Sequence, residues 1–422
     1  MAEQGKKTER LWTGTFLLFI LMYFGNVSCL YYYSGTMTLI GASLSDKVWV
    51  AGALSSIYSL TPLFLRPFVG AFVDRVGRWK SNNIGIIITM MTIVGYLFAG
   101  NIYLLFVLRG ISGLAFCLTS IANYTSASDL IPETRKTEGL GWFQNAGTVS
   151  TYVGPALALY AIALTPGSYV GLHIGGLILC SIALITNLFL NYEKKPEYIA
   201  KREREMKAAE EAAKKELEDA KAAETPAASG KLLLGLPMAT WMLVLTHLLV
   251  TCAHSTVNSY LLLSAQERGI DGISNFFLFM AAGMFVARGF LSKLADKLGL
   301  MKVFVPVLIV GGLCLGIFGI SNNVWVLTIA AFPYGFLFGT SAAVCNSNIV
   351  KSAPVQKRAF ASSMYLIAVD VGYGIFPILS GFIIQAVGYN SIFFIAAVLP
   401  WIAIIFVILY TVKQNKARKV CA

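Results

Sequence analysis

"RPFVGAFVDRVGRWK" at residues 66–80 and "RGFLSKLADKLGLMK" at residues 288–302 are two spellings of one segment. They align at a constant offset of 222, which pairs Arg66 with Arg288, Asp74 with Asp296, Gly77 with Gly299 and Lys80 with Lys302. The offset persists downstream through Asn101 and Asn323, Gly113 and Gly335, Pro132 and Pro354, and Pro155 and Pro377. One coincidence means little, but a single offset held over roughly ninety residues marks a duplicated unit.

Both copies lie between long apolar runs. The 422-residue chain is 57% hydrophobic and only 13% charged, too little polar surface to coat a soluble globule. Apolar stretches fall near 11–35, 48–72, 82–100, 102–125, 138–164, 168–192, 236–263, 274–292, 303–321, 324–348, 359–387 and 391–412. Each is about the 20 residues a helix needs to cross a bilayer, and only helices or closed barrels satisfy their backbone in lipid. The expected fold is therefore all-α integral membrane, with 12 transmembrane helices in two six-helix pseudo-repeats. Six of the seven cysteines (Cys29, Cys117, Cys180, Cys252, Cys314 and Cys345) lie in these runs and read as small hydrophobes, with no disulfide framework.

With the N-terminus inside, cytoplasmic segments hold all but five of the 33 Lys and Arg residues. Lys47 and Arg268 fall in external loops, and Arg66, Arg109 and Arg288 fall within spans. This is a positive-inside pattern with both termini cytoplasmic. The net charge of +12 faces anionic lipid and needs no nucleic acid to explain it. Residues 1–192 form one half and 235–422 the other. Between them, 193–234 is rich in Ala, Glu and Lys with i,i+4 pairs such as Glu210–Lys214, the pattern of a solvated tether, partly helical.

Gly70-x-x-x-Asp74-Arg75-x-Gly77-Arg78-x-Lys80, placed between spans two and three, resembles the cytoplasmic signature of the major facilitator superfamily. The weaker copy after span eight, the six-plus-six count and the central loop fit the same family, whose members are secondary transporters. Gly77 permits a tight turn. The cations, with Asp74 and with Asp129 as partner, are expected to form an ion cluster that latches the two halves, as are Asp296, Gly299 and Lys302 in the second copy. "SDLIPETRKTEGLG" (128–141) and "GTVSTYVGPALAL" (147–159) are similar to the drug/proton antiporter branch. In the second of these the helix-kinking Gly154-Pro155 is kept, matched by Pro377 in the other half, while Ser150 and Ala158 stand where that branch prefers glycine.

An ionisable side chain inside the membrane is costly and by default functional. Asp370, in "IAVDVGYGIFP", is the acidic residue nearest the middle of a span. Arg109, in "LLFVLRGISG", resembles the arginine tied to proton coupling in exporters of this family. The two come from different halves and are expected to form a proton-coupling pair. Arg66 and Arg288 are expected to snorkel to the cytoplasmic interface. His247 and His254, seven residues apart on one face of span seven, suit cavity hydrogen bonding, and His173 lies near the external end of span six.

The family resemblance puts spans one, four, seven and ten around a central cavity. Span one would contribute Asn26, Tyr31 and Tyr32, and span four Asn123. Span seven would contribute His247, His254, Asn258 and Tyr260, and span ten Tyr334 and Asn346. Trp142, Gln144 and Asn145 of span five and Tyr373 of span eleven complete an aromatic and amide lining suited to an amphipathic organic molecule. The chain lacks a Gly-x-x-x-x-Gly-Lys-Ser/Thr loop and an H-E-x-x-H helix, which disfavours an ATP-driven pump, and neither an enzyme nor a metal site is expected. The reading is a monomeric, multi-pass plasma-membrane transporter of small organic compounds, cofactor-free and driven by a proton gradient, working as an exporter. A proton-linked importer of a nutrient or organic anion keeps the same fold. A non-transporting receptor or scaffold would need a larger folded domain than this linker offers.

Overall fold

The offset seen in the sequence reappears as architecture. The computed structural model describes residues 10–132, 135–190, 192–194, 198–199, 232–233, 235–353 and 357–421. In the first half these form α1 (Gly14–Tyr32), α2 (Thr36–Leu44), α3 (Val48–Val76), α4 (Arg78–Leu97), α5 (Ile102–Leu130), α6 (Lys136–Ala163) and α7 (Val170–Phe189). The second half contains α8 (Met238–Glu267), α9 (Ser274–Val286), a π turn (Ala287–Leu291), α10 (Ser292–Leu298), α11 (Leu300–Ile320), α12 (Val324–Ser352), α13 (Arg358–Val387) and α14 (Tyr389–Cys421). A two-stranded antiparallel turn, β1 (Leu232–Leu233) with β2 (Leu236–Pro237), leads into α8. The central segment 200–231 and Pro354 lie outside the described residues.

The physical reasons for these boundaries repeat as well. Asn101 and Asn323 each cap the next helix, their side-chain oxygens accepting from Leu104 N and from Trp325 N. Gly77 (φ +98°) and Gly299 (φ +92°) each end one helix and start the next at a backbone angle that side chains resist. A Cβ on Gly113 would lie 2.8 Å from Tyr58 O, and on Gly335 it would meet Met280 O, the residue 222 positions after Tyr58. Two six-span halves with the same internal packing follow.

Eleven helical segments are long and apolar enough to cross a membrane among the described residues. The twelfth crossing, α4, opens with Arg78, Lys80, Asn82 and Asn83 and is correspondingly less apolar. Two spans differ from the expected plain helices. Span one breaks at Tyr33–Gly35, where Gly35 takes φ +72°, and continues as α2; a Cβ at Gly35 would lie 2.8 Å from Asn258 O of α8. Span eight is interrupted by the π turn that carries Arg288.

Because the crossings are even in number, both termini lie on one side, here the terminus side; the other is the far side. The halves meet along α3 against α13 and α6 against α9. On the far side they close tightly. Trp49 stacks on Phe382 at 5.3 Å, and Tyr160 OH donates to Asn275 Oδ1 at 3.0 Å. Gly52 packs directly against the hydroxyl of Tyr260, which donates to Pro377 O at 2.7 Å. Large apolar side chains such as Phe68, Phe98 and Phe189 point outward, where lipid replaces water.

Gly335→Ala should cost about 1–3 kcal/mol, since its methyl enters the backbone of α9, whereas Gly316→Ala, with open space around it, should be nearly neutral. Thermal unfolding of the purified variants, followed by size-exclusion chromatography, checks the contrast.

Candidate functional site: a charged centre between the halves

Arg66 sits ten residues before the end of α3, about 15 Å along the axis at 1.5 Å per residue. Its guanidinium cannot shed its charge and needs an acceptor. It donates from Nη2 to Asp370 Oδ1 at 3.1 Å, joining α3 of the first half to α13 of the second. Asp370 is buried and Arg66 partly so. Arg66 is therefore not the interfacial snorkelling residue expected from its position near the loop; α3 runs on to Val76, which leaves it well inside the membrane.

Arg109 does not pair with Asp370, contrary to expectation. It is 4% exposed and lies inside the first half, with its guanidinium carbon 4.2 Å from the centre of the Tyr58 ring. Tyr58, Tyr96, Ser112, Thr89 and Thr92 surround it, and among the described residues no carboxylate stands within ion-pair distance. The π face of Tyr58 stabilises its charge instead.

Around the ion pair the lining is aromatic. Tyr31 lies within electrostatic reach of Asp370, Arg66 and Arg288, and Tyr124 within reach of both arginines. His254 joins the halves: its Nε2 shares a hydrogen bond with Tyr152 OH at 3.0 Å and its Nδ1 with Tyr334 OH at 3.2 Å. His247 Nδ1 shares one with Ser341 Oγ at 2.9 Å, and its ring stacks on Tyr365 at 4.5 Å. Asn258 Nδ2 donates to Tyr373 OH at 3.2 Å. Tyr124, Tyr152 and Tyr365 were missed in the sequence. Residue 124 lies 222 positions before Asn346, so the repeat that exposed the fold could have pointed to it.

Several expected cavity residues are used for packing. Asn82 Nδ2 donates to Asn123 Oδ1 at 2.7 Å and Asn123 Nδ2 to Asn26 Oδ1 at 3.5 Å, an amide ladder buried within the first half. The Tyr32 ring is 1% exposed, beside Gly175. Tyr260 belongs to the far-side closure. Trp142, near the start of α6, is exposed and meets Trp12 edge-on at 5.2 Å on the terminus-side rim. Gln144, Asn145 and Asn346 make no side-chain hydrogen bond among the described residues. Gly154 allows α6 to approach α1, where a Cβ would meet Ser28 O, and Pro155 and Pro377 both lie inside their helices. His173 Nδ1 lies 3.3 Å from Tyr33 OH, inside the first half.

At the signature loop the expected pair forms, with Arg78 Nε 3.5 Å from Asp129 Oδ2, but it joins α4 to α5 within one half and so does not latch the two. The residues after α7 complete the cluster. Glu193 Oε1 accepts from Arg78 N at 2.8 Å, and Tyr198 OH donates to Asp129 Oδ2 at 2.7 Å. Burial and the Asp129 carboxylate raise the Tyr198 phenol above its ordinary pKa, so it stays a neutral donor. Asp74, Arg75, Lys80 and Lys302 are exposed, Gly70 has open space around it, and the side chain of Asp296 lies outside the described residues.

Twelve crossings in two related halves, bridged at mid-depth by an ion pair inside an aromatic lining, define a membrane transporter rather than an enzyme. The chain belongs to the Major Facilitator Superfamily, whose description matches residues 11–353 and 284–421. Its fold is similar to that of a bacterial homologue of the human lysosomal transporter Spinster in an inward-facing, occupied conformation. The TM-score is 0.69 at 15% identity, covering 94% of this chain and 96% of that one. A POT family transporter in complex with a thioalcohol-conjugated peptide gives a TM-score of 0.70 at 14% identity, covering 95% and 96%. The Staphylopine export protein of Staphylococcus aureus is 28% identical over 151 residues, a match that spans 36% of this chain and 36% of that protein.

Arg66→Gln leaves Asp370 without its partner and should cost about 1–3 kcal/mol of stability. Adding Asp370→Asn should recover most of that loss, and a double-mutant cycle in thermal unfolding measures the coupling.

Proposed function

We propose that the chain moves small organic compounds across the plasma membrane by alternating access, exporting them in exchange for protons, with its terminus side cytoplasmic. The observation that carries this reading is the Arg66–Asp370 pair, a titratable carboxylate bridging the two halves at mid-depth. Protonating Asp370 removes one partner and loosens α3 from α13; deprotonating it draws them together. Proton binding is thereby tied to the relative position of the halves, which coupling requires. The far-side closure fits a conformation open toward the cytoplasm, ready to load cargo. The export direction draws support from the similarity to the Staphylopine export protein and from the kept Gly154-Pro155. Arg109, held on the Tyr58 ring, acts as a fixed positive field inside the first half in this scheme.

The compound that most stabilises the purified protein in a thermal-shift screen should accumulate in inverted vesicles whose interior is acidic. Asp370→Asn should reduce that accumulation to the level of vesicles lacking the protein while leaving the thermal shift in place. Accumulation that follows the opposite gradient, or that survives in Asp370→Asn, contradicts proton-driven export. Asp74→Asn in the signature loop should slow turnover in proteoliposomes without changing the steady-state gradient of cargo.

A further inference from the structure

Asp370 lies 222 residues after Thr148, and Arg288 lies 222 residues after Arg66. The structure uses both relations. Arg66 of α3 donates to Asp370 of α13, and Arg288, in the π turn after α9, donates through Nη1 to Thr148 Oγ1 of α6. These are the same contact in the two halves, with a carboxylate accepting in one and a hydroxyl in the other. Arg66 is neutralised and Arg288 is not: no carboxylate lies within ion-pair distance of it among the described residues. Its Nε, like that of Arg66 and of Arg109, is buried without a hydrogen-bond partner, so what separates Arg288 from Arg66 is the missing carboxylate.

A second orphan lies close by. His247 Nε2 is also buried and unpartnered, while the other ring nitrogen is held by Ser341, and His247 is within electrostatic reach of Arg288. Tyr31, Tyr124, Tyr152 and Tyr365 lie within the same reach. Arg288 is half-buried, and the π turn, a distortion that recurs at functional positions, falls on this residue and has no counterpart at Arg66. With Asp370 spent on Arg66, Arg288 stands among phenol rings with no carboxylate partner among the described residues.

We infer that Arg288 is the seat of an anionic group on the cargo, which is a small organic carboxylate with an aromatic or otherwise apolar body. The guanidinium fork donates to the carboxylate, Thr148 and His247 fix its orientation, and the tyrosine rings cover the body. This rests on the transporter reading above and names its substrate class.

The test is equilibrium binding to the purified full-length protein at one pH, by calorimetry and thermal shift, with no proton gradient. The probes are indole-3-acetate, 4-hydroxyphenylacetate and 4-phenylbutyrate, each beside its neutral primary amide. At least one acid should bind about tenfold more tightly than its amide. Arg288→Gln should abolish that preference. Thr148→Asp should abolish it too, by giving Arg288 the internal partner that Arg66 already has, with thermal stability at or above that of the parent. This second variant keeps the test open should Arg288→Gln not fold. No preference for any acid, or a preference that survives in either folded variant, overturns the assignment. Because no gradient is applied, a negative result leaves proton-driven transport standing, and a failure of pH-driven transport leaves the Arg288 site standing.

Discussion

An arginine in the middle of a membrane needs its charge stabilised, and Arg66 finds a carboxylate for it on the other half of the chain. That constraint organises the centre of the molecule. It sets α3 against α13, places a buried carboxylate at the seam, and makes the meeting of the halves depend on charge as well as on packing. On the far side the seam is sealed by Trp49 on Phe382 and by glycines that let backbones approach. The ion pair lies deeper, where two bodies could pivot.

Duplication explains why a second such place exists. Copying the six-span unit gives contacts such as Gly113 on Tyr58 a counterpart 222 residues away, in Gly335 on Met280, and the two halves differ at the buried arginines. Helix caps at Asn101 and Asn323 and turns at Gly77 and Gly299 have stayed alike, because both halves need to fold. The acceptor of the buried arginine has not: it is Asp370 in one half and Thr148 in the other. A symmetric pair of ion bridges would clamp the molecule at two points. The observed asymmetry leaves a carboxylate bridging the halves at Arg66 and, among the described residues, a hydroxyl in the same place at Arg288.

Much of the fold was legible in the sequence for a simple reason. Hydropathy sets the crossings, basic residues suggest the orientation, and glycine and asparagine mark ends whose backbone angles or open N–H groups they suit. The pairing of charges was not legible in the same way. Arg109 and Arg66 look alike in an apolar run, and only the packing of α3 on α13 shows which reaches Asp370. The same holds for the amides: Asn26 and Asn123 are consumed by a ladder with Asn82, since a residue's type does not reveal which face of its helix meets which neighbour. The signature loop was recognised, yet its partners after α7, Glu193 and Tyr198, came from a segment read as a tether. One signal was available and unused: the offset that pairs Arg66 with Arg288 also carries Asp370 to Thr148, and so gives the acceptor of each arginine.

The most direct measurement of the pivot is a pair of spin-label distances on a cysteine-free background. One pair, Lys47→Cys with Val387→Cys, reports the far side of α3 and α13; the other, Arg75→Cys with Lys357→Cys, reports the terminus side. If the Arg66–Asp370 contact is the fulcrum, replacing Asp370 by Asn should shift the two distance distributions in opposite directions, one widening as the other narrows. Distributions that stay unchanged, or that widen together, would contradict it.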